Sequence, residues 1–294
     1  MFETIESTRL ALASRHYFAD DGLATSLFLA IRMEKALFLE GEPGVGKTEI
    51  ARVVSALLDT PLIRLQCYEG LDLNQAVYEW NYPRQLIEIQ ARSGRAGTDV
   101  ESADIFTEEY LLRRPLLQAI DSSHEKAPVL LIDELDRADE EFESFLLELL
   151  ADFQITIPEL GTLRAEHRPI TFITSNRTRE IHDALKRRCI YHWIDYPTAE
   201  RELEIVLAKV PEASPALAKQ VVAFVQRLRG EDLYKRPGVS ETLDWAKALT
   251  HLGIERPDED SVRRTIGLLL KYQDDVDRIR GAALAALLDE VGAK

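Results

Sequence analysis

A ten-residue stretch, GEPGVGKTEI, constrains the fold of this chain more than any other part of the sequence. It occupies residues 41–50 and follows residues 36–39, a short apolar run that predicts a buried strand. Residues 48–58 contain no helix breaker and predict a helix. Glycines allow positive φ and leave main-chain N–H groups uncovered by side chains. The stretch therefore predicts a tight turn between strand and helix, with its N–H groups facing inward.

A turn of this kind binds anions, because inward N–H groups and a helix N-terminus both carry partial positive charge. The spacing G-x-x-x-x-G-K-[ST] is that of a phosphate-binding loop, in which the lysine reaches the β- and γ-phosphates and the hydroxyl ligates Mg²⁺. The motif predicts a site for ATP with Mg²⁺, with a purely structural turn as the alternative. The residues expected at the nucleotide are Gly41, Glu42, Pro43, Gly44, Val45, Gly46, Lys47, Thr48 and Glu49, with Thr48 also expected at the metal.

A second motif, PVLLIDELDRAD, predicts the acidic residues of the site. Residues 129–132 are apolar and predict a buried strand that ends at Asp133 and Glu134. In open α/β sheets, ligands bind beyond the carboxyl ends of the strands, so both acids should face the phosphates. We expect Asp133 to hold Mg²⁺ through the water shell of the ion and Glu134 to polarise the attacking water. Without a nucleotide, the same two acids would serve only as a helix cap.

A third motif, TFITSN, predicts another strand that ends in a polar side chain, Asn176. An amide at that position can orient a water molecule against a γ-phosphate. The alternative is an asparagine that begins a turn.

The wider pattern predicts an α/β fold, in which a parallel sheet flanked by helices precedes a smaller all-helical domain. Strand signals stop near Pro197, so residues 1–197 are expected to form the nucleotide-binding domain and residues 198–294 the helical domain. The other elements predicted are strands at 61–66 and 170–174, helices at 3–31, 110–119 and 140–150, a loop at 94–101 and a β-hairpin at 154–164.

Composition excludes several classes of protein. The net charge of −15 weighs against attraction to nucleic acid, so no nucleic-acid partner is expected. The chain has no apolar run of about 18 residues, so no membrane span is expected. Its two cysteines, Cys67 and Cys189, are not in metal-binding spacing and fit a reducing, cytoplasmic location.

The three motifs, in this order, resemble those of an AAA+ ATPase, and the helical remainder resembles the AAA+ lid domain. The hairpin QITIPELGTLRAEHRPITFITSN lies where the MoxR group carries its hairpin before the sensor strand. The segments RLQCYEGLDLNQAVYEWNYPRQL, DALKRRCIYHWIDYP and KRPGVSETLDWAKAL look most like the CoxD-like subgroup. The resemblance extends over nearly the whole chain.

The resemblance implies roles for individual residues. Asn176 corresponds to sensor 1, and an arginine of DALKRRCIYHW to the arginine finger, which reaches the γ-phosphate of the neighbouring subunit. Arg188 is the first candidate for the finger and Arg187 the second. Arg236, in KRPGVSE, is the candidate for sensor 2. A finger acting in trans implies a homo-oligomeric ring, with a hexamer expected.

The resemblance also implies partners. MoxR-type proteins are chaperone-like and work with a von Willebrand factor A-domain protein, and CoxD-like members are linked to the metal centre of a molybdenum hydroxylase such as carbon monoxide dehydrogenase. Tyr78, Trp80 and Tyr82 alternate at strand spacing and have two open interpretations, packing or contact with a client protein. Three other functions remain open: a nucleic-acid motor or clamp-loader-type ATPase, a small-molecule kinase, and a scaffold that binds nucleotide without hydrolysis.

Overall fold

The computed structural model describes residues 2–93 and 105–292, so the loop expected at 94–101 lies outside the described residues. The chain folds into two compact units. The first unit contains the chain up to Thr8, Asp21–Glu40 and Thr48–Trp193. The second contains Arg9–Asp20, Gly41–Lys47 and the chain from Ile194 onward.

The strands form one large sheet and two small ones. The large sheet has five strands in the order β2-β5-β8-β1-β9, and β2 with β5, β5 with β8 and β8 with β1 all pair in parallel. Every residue of β1 and of β5 is buried, as expected for parallel strands covered on both faces. The strands are β1 (Leu37–Gly41), β2 (Leu62–Gln66), β3 (Tyr78–Trp80), β4 (Leu111–Arg113), β5 (Val129–Asp133), β6 (Gln154–Ile157), β7 (Gly161–Arg164), β8 (Ile170–Ser175) and β9 (Ile190–Ile194).

Helices flank this sheet in the first unit and make up most of the second. In the first unit, Leu130 and Ile132 of the sheet share a core with the helical residues Phe142 and Leu146. The predicted fold class, a parallel α/β domain followed by a helical region, is confirmed. The helices are α1 (Ile5–Ala13), α2 (Asp21–Arg32), α3 (Lys47–Leu58), α4 (Leu73–Ala76), α5 (Tyr82–Ser93), α6 (Pro115–Ala119), α7 (Glu140–Asp152), α8 (Asp183–Lys186), α9 (Ala199–Lys209), α10 (Pro215–Leu228), α11 (Val239–His251), α12 (Glu259–Thr265), α13 (Gln273–Arg278) and α14 (Ala282–Gly292).

The small sheets are antiparallel pairs. The predicted hairpin is confirmed, because β6 pairs with β7 and Gly161 has a φ of 86°, a conformation that favours glycine. The other pair, β3 with β4, contains two of the alternating aromatic residues. Trp80 is buried and its ring centroid lies 5.1 Å from that of Phe106, whereas Tyr82 is exposed.

One helix prediction is wrong, and another is confirmed only in part. Residues 110–119 do not form one helix: they contribute Tyr110 to a short 3₁₀ turn, then form β4, and enter α6 only at Pro115. Proline disfavours helical backbone in the residue before it, and β4 gains a pairing partner in β3. Residues 3–31 form two helices, α1 and α2, and between them His16 takes a left-handed conformation with a φ of 58°.

The helical part of the second unit has its own core. Phe224 of α10 packs against Trp245 of α11 with ring centroids 5.1 Å apart, and both side chains are buried. The same unit contains a buried ion pair, in which Arg229 donates to both oxygens of Glu202 at 2.7 and 2.6 Å. In the described part of the chain, no helix is long and apolar enough to cross a membrane.

Candidate active site

The glycine-rich loop has the backbone that its sequence predicts. Gly44 and Gly46 have φ values of 79° and 99°, which residues with a side chain rarely adopt. A Cβ added at Gly44 would lie 2.5 Å from the Ser240 hydroxyl, so the position also has no room for a side chain. Lys47 is buried, and its Nζ donates to the carbonyls of Gly41 and Glu42 at 2.7 Å each. The loop is therefore folded around the lysine that is expected at the phosphates.

Two contacts to this loop come from residues that the sequence did not single out. The main-chain N–H groups of Val239 and Ser240, at the start of α11, donate to the Gly44 carbonyl at 3.0 and 3.2 Å. The Tyr17 hydroxyl donates to the Gly46 carbonyl at 3.3 Å. These contacts are long-range in sequence, so no local pattern could reveal them.

Asp133 lies at the carboxyl end of β5 and is almost fully buried. Its Oδ1 accepts hydrogen bonds from the hydroxyls of Thr48 at 3.0 Å and Thr174 at 2.6 Å. Its Oδ2 accepts two bonds from Arg64, from Nε at 3.0 Å and from Nη2 at 2.6 Å. The structure thus joins the predicted metal ligands Thr48 and Asp133, and adds a cation, Arg64, that no sequence motif had indicated.

Glu134 is held by several side chains on the same edge of the sheet. Its backbone is left-handed, with φ 57° and ψ 51°, and its N–H donates to the Thr174 hydroxyl at 2.9 Å. One carboxylate oxygen accepts from Gln66 Nε2 at 3.0 Å and forms an ion pair with Arg137 at 3.0 Å. The other accepts from Asn176 Nδ2 at 3.4 Å. The structure therefore brings together Glu134 and Asn176, as the motifs predict.

A further acid, Asp136, holds the loop that follows β8. Its carboxylate is buried and accepts from the N–H of Asn176 at 3.2 Å. It also accepts from the N–H of Thr178 at 2.9 Å and from its hydroxyl at 2.6 Å. Asp136 thereby fixes the main chain from which the Asn176 side chain reaches Glu134.

Arg64 and Gln66 connect the two acids of the second motif. Arg64 Nη2 also donates to Gln66 Oε1, so a chain of hydrogen bonds runs from Asp133 through Arg64 and Gln66 to Glu134. The two residues alternate with apolar ones on β2 and therefore share one face of the sheet. This alternation was visible in the sequence. The pairing of β2 with β5, which places Arg64 and Gln66 beside the two acids, was not.

Cys67 follows β2, and its N–H donates to the main-chain carbonyl of Asp133 at 2.8 Å. Burial, followed by the negative charge of Asp133, raises the pKa of its thiol to about 12. The thiol is therefore neutral and unreactive at physiological pH.

The candidate finger arginines make contacts to other residues of the first unit. Arg187 and Arg188 follow α8 and are both exposed; Arg187 pairs with Asp183 at 2.6 Å, and Arg188 donates to the Leu147 carbonyl. Among the described residues, Arg137 forms an ion pair with Glu134.

Arg236, in the second unit, is also exposed. It lies close enough to Tyr196 to affect the titration of its phenol. Burial is the main cause that raises the pKa of Tyr196 to about 12, and the charges of Arg229 and Arg236 oppose the rise.

The residues present fit a nucleotide with its metal. The left-handed glycines leave no place for side chains in the loop, and a buried lysine ends it. Mg²⁺ is usually held by one or two protein oxygens together with phosphates and water, and the adjacent oxygens of Thr48 and Asp133 are of this type. A carboxylate and an amide 3.4 Å apart, Glu134 and Asn176, are suited to holding a water molecule.

Comparison with known proteins identifies the class. Residues 36–189, just over half of the chain, match the model of the AAA domain of the dynein-related subfamily. The chain therefore belongs to this family of AAA+ ATPases and is an ATP hydrolase.

Individual relatives are distant. An uncharacterized protein of Staphylococcus haemolyticus is 21% identical over 281 residues, which cover 92% of this chain and 98% of that protein. An uncharacterized protein of Staphylococcus aureus is 23% identical, covering 87% of this chain and 92% of its own length. Among solved structures, the RuvB Holliday junction branch migration motor of Thermotoga maritima is 20% identical with a TM-score of 0.47, over 92% of this chain and 79% of RuvB.

Proposed function

We propose that this protein is a MoxR-type AAA+ ATPase that uses Mg²⁺ and ATP to remodel or mature a partner protein. The observation that carries the proposal is the arrangement of side chains at the ends of β5 and β8. Thr48 bonds Asp133 at 3.0 Å, while Glu134 accepts from Asn176 at 3.4 Å. Such an arrangement separates a metal-holding pair from a water-holding pair.

In the proposed mechanism, Gly41–Lys47 and Arg236 bind the nucleotide. Thr48 and Asp133 would hold Mg²⁺, which would neutralise charge on the phosphates. Glu134 orients the attacking water and accepts its proton, and the Asn176 amide fixes the position of that water. Gln66 and Arg137 both bond Glu134 in the structure, and their release would free its carboxylate for this task.

The proposal includes a ring in which Arg188, or Arg187, completes the site of the neighbouring subunit. The exposure of both arginines supports this role, as does the fact that Glu134 is contacted within the chain by Arg137 instead. We propose a homohexamer, with residues 1–197 as the nucleotide-binding domain and residues 198–294 as the lid. A change of angle between these domains would transmit hydrolysis to the partner.

The finer assignment rests on the sequence resemblance to the CoxD-like subgroup, and the matched family also includes MoxR-like ATPases. We propose a cytoplasmic protein that works with a von Willebrand factor A-domain protein. Its client would be a molybdenum hydroxylase of the carbon monoxide dehydrogenase type, at the stage of metal-centre maturation. The net charge of −15 supports a protein client over a nucleic acid.

Mixing two inactive variants tests the ring. Glu134→Gln should bind ATP but hydrolyse it about 10²–10⁴-fold more slowly, because an amide cannot take the proton of water. Arg188→Ala should also bind ATP, with turnover reduced on the order of 10³-fold. Mixed rings place intact arginines of the first variant against intact sites of the second, so activity should partly return.

Each negative result of the mixing experiment would rule out a different part of the proposal. If mixed rings form by native mass spectrometry and no activity returns, Arg188 is not the finger, and Arg187→Ala is examined in the same way. If both arginine variants keep full turnover, the ring mechanism is wrong. Turnover stimulated by DNA would instead favour a nucleic-acid motor. For the partner, the Glu134→Gln ring with ATP should bind a purified von Willebrand factor A-domain protein from the same organism, and ADP should abolish binding.

A further inference from the structure

Glu40 is a buried carboxylate that the proposed mechanism does not use. It is 2% exposed and lies near the end of β1, immediately before the glycine-rich loop in the chain. Its oxygens accept hydrogen bonds from the Tyr191 hydroxyl at 2.9 Å and the Ser175 hydroxyl at 3.4 Å. They also form an ion pair with Lys186 Nζ at 3.3 Å. A charge at such depth is costly unless it is fully paired, so this set of partners has to be kept together.

Lys186 is the last residue of α8, and its side chain is held at more than one point. Its ammonium lies 5.7 Å from the ring centroid of Phe38 and 5.8 Å from that of Tyr191, within the range of cation–π attraction. Burial and the hydrogen bond to Glu40 raise the pKa of Tyr191 to about 12, so its hydroxyl stays protonated and donates to the carboxylate. A lysine side chain is normally flexible, but this one is enclosed by an acid and two rings.

The position of Lys186 determines which way the next residues point. Arg187 and Arg188 follow the end of α8, where their N–H groups donate to the carbonyls of Asp183 and Leu185 at 3.0 Å each, so the chain continues to turn and successive side chains point in different directions. Lys186 points inward to Glu40, and Arg187 and Arg188 are both exposed. The short helix α8 has only four residues, so its own hydrogen bonds cannot fix its direction.

We propose that Lys186, anchored on Glu40, is a positioning residue that aims the finger arginine at the neighbouring subunit. The inference rests on the proposed finger role of Arg188 or Arg187. The inference adds that the Lys186–Glu40 ion pair, near the end of β1, holds the finger arginine in position. The same strand leads into the phosphate-binding loop of that subunit.

The test replaces the lysine by methionine, which keeps the length of the side chain and removes its charge. Lys186→Met should bind a fluorescent ATP analogue with wild-type affinity and lose turnover on the order of 10²-fold, as expected for a misplaced catalytic group. Lys186→Arg should restore most of the activity because it can still pair with Glu40. Lys126→Met, which removes an exposed lysine of the same unit, should change nothing.

Mixing separates a displaced finger from damage to the subunit's own site. Lys186→Met mixed with Glu134→Gln should regain activity, because the partner supplies a well-placed finger to an intact site. Lys186→Met mixed with Arg188→Ala should regain none, because neither partner supplies a working finger. Activity in the second mixture would show that Lys186 acts on its own site and would overturn the inference.

Further results distinguish a failure of the positioning inference from a folding defect and from a failure of the finger assignment. If Lys186→Met does not fold because Glu40 is left unpaired, the double variant with Glu40→Gln removes the buried charge and should give the same mixing pattern. If Arg188→Ala is inactive while Lys186→Met keeps full turnover, the positioning inference fails and the finger stands. If Arg187→Ala and Arg188→Ala are both fully active, the proposed function fails first.

Discussion

Arg64 is hydrogen-bonded to one carboxylate oxygen of Asp133, the acid that is expected to hold Mg²⁺. Replacing Arg64 should therefore strengthen Mg²⁺ binding. In the structure, Asp133 Oδ2 accepts two hydrogen bonds from the guanidinium, while Oδ1 accepts bonds from two threonine hydroxyls. Every acceptor oxygen of a nearly buried acid is thus already engaged. Metal that binds at this carboxylate has to compete with the guanidinium.

The geometry gives a magnitude for this competition. A hydrogen bond to a charged group contributes about 1.5–3 kcal/mol, and Arg64 makes two of them to Asp133. The Arg64 side chain is 43% exposed, so solvent screens part of the attraction and the lower value for a single bond is appropriate. A difference of about 1.4 kcal/mol corresponds to a tenfold change in affinity. Arg64→Met should therefore bind Mg²⁺ about tenfold more tightly.

Calorimetric titration of Mg²⁺ into the ADP-saturated protein measures this change without any turnover. Arg64→Lys keeps a positive charge with fewer donors and should fall between the wild type and Arg64→Met. Arg84→Met breaks an exposed ion pair with Glu109 elsewhere in the same unit and should leave the metal affinity unchanged. An unchanged or weaker affinity in Arg64→Met would refute the competition. It would show that Arg64 supports the metal-bound form of Asp133 instead.

Three further predictions concern buried contacts. Arg229→Met leaves Glu202 buried without its cationic partner and should lower the free energy of unfolding by about 3–5 kcal/mol. Arg263→Met breaks an exposed ion pair and should lower the free energy of unfolding by at most about 1 kcal/mol. Chemical denaturation measures both changes. Lys47→Ala should abolish binding of a fluorescent ATP analogue, and unchanged affinity would contradict the phosphate-binding role. Asp136→Ala releases the loop after β8 and should lower kcat by tenfold to about 10²-fold while ATP affinity is retained; an equal loss of affinity would indicate general misfolding.

The sequence predicted what is encoded locally. The strand, the turn and the helix around Lys47 are contiguous, and the strands that end at Asp133 and near Asn176 are apolar runs with polar ends. Because parallel strands present their carboxyl ends at one edge of a sheet, these separate signals also predict that their side chains meet. The hairpin before β8 was predictable for the same reason, since its strands and its glycine turn are adjacent in the chain.

The sequence could not predict what depends on pairing between distant segments. Residues 110–119 carry helical spacing, yet Leu111–Arg113 pairs as a strand with Tyr78–Trp80, and tertiary pairing overrides a short local preference. Arg64 reads as one polar residue in an apolar strand until β2 is placed beside β5, where it meets Asp133. Likewise, Lys186 reads as one of three adjacent basic residues until Glu40 is seen to be its partner.

Strand β8 connects the two halves of the proposed mechanism. Its last two residues lie next to each other in the chain and point to opposite faces of the sheet. The Thr174 hydroxyl bonds Asp133 and accepts from the N–H of Glu134, whereas the Ser175 hydroxyl bonds Glu40, the anchor of Lys186. We therefore expect that a change at Asp133 that shifts this strand end would also move the contact on which Lys186 depends. In the proposed ring, these buried strand ends would link the state of a subunit's own acids to the position of the arginine that it offers to the next subunit.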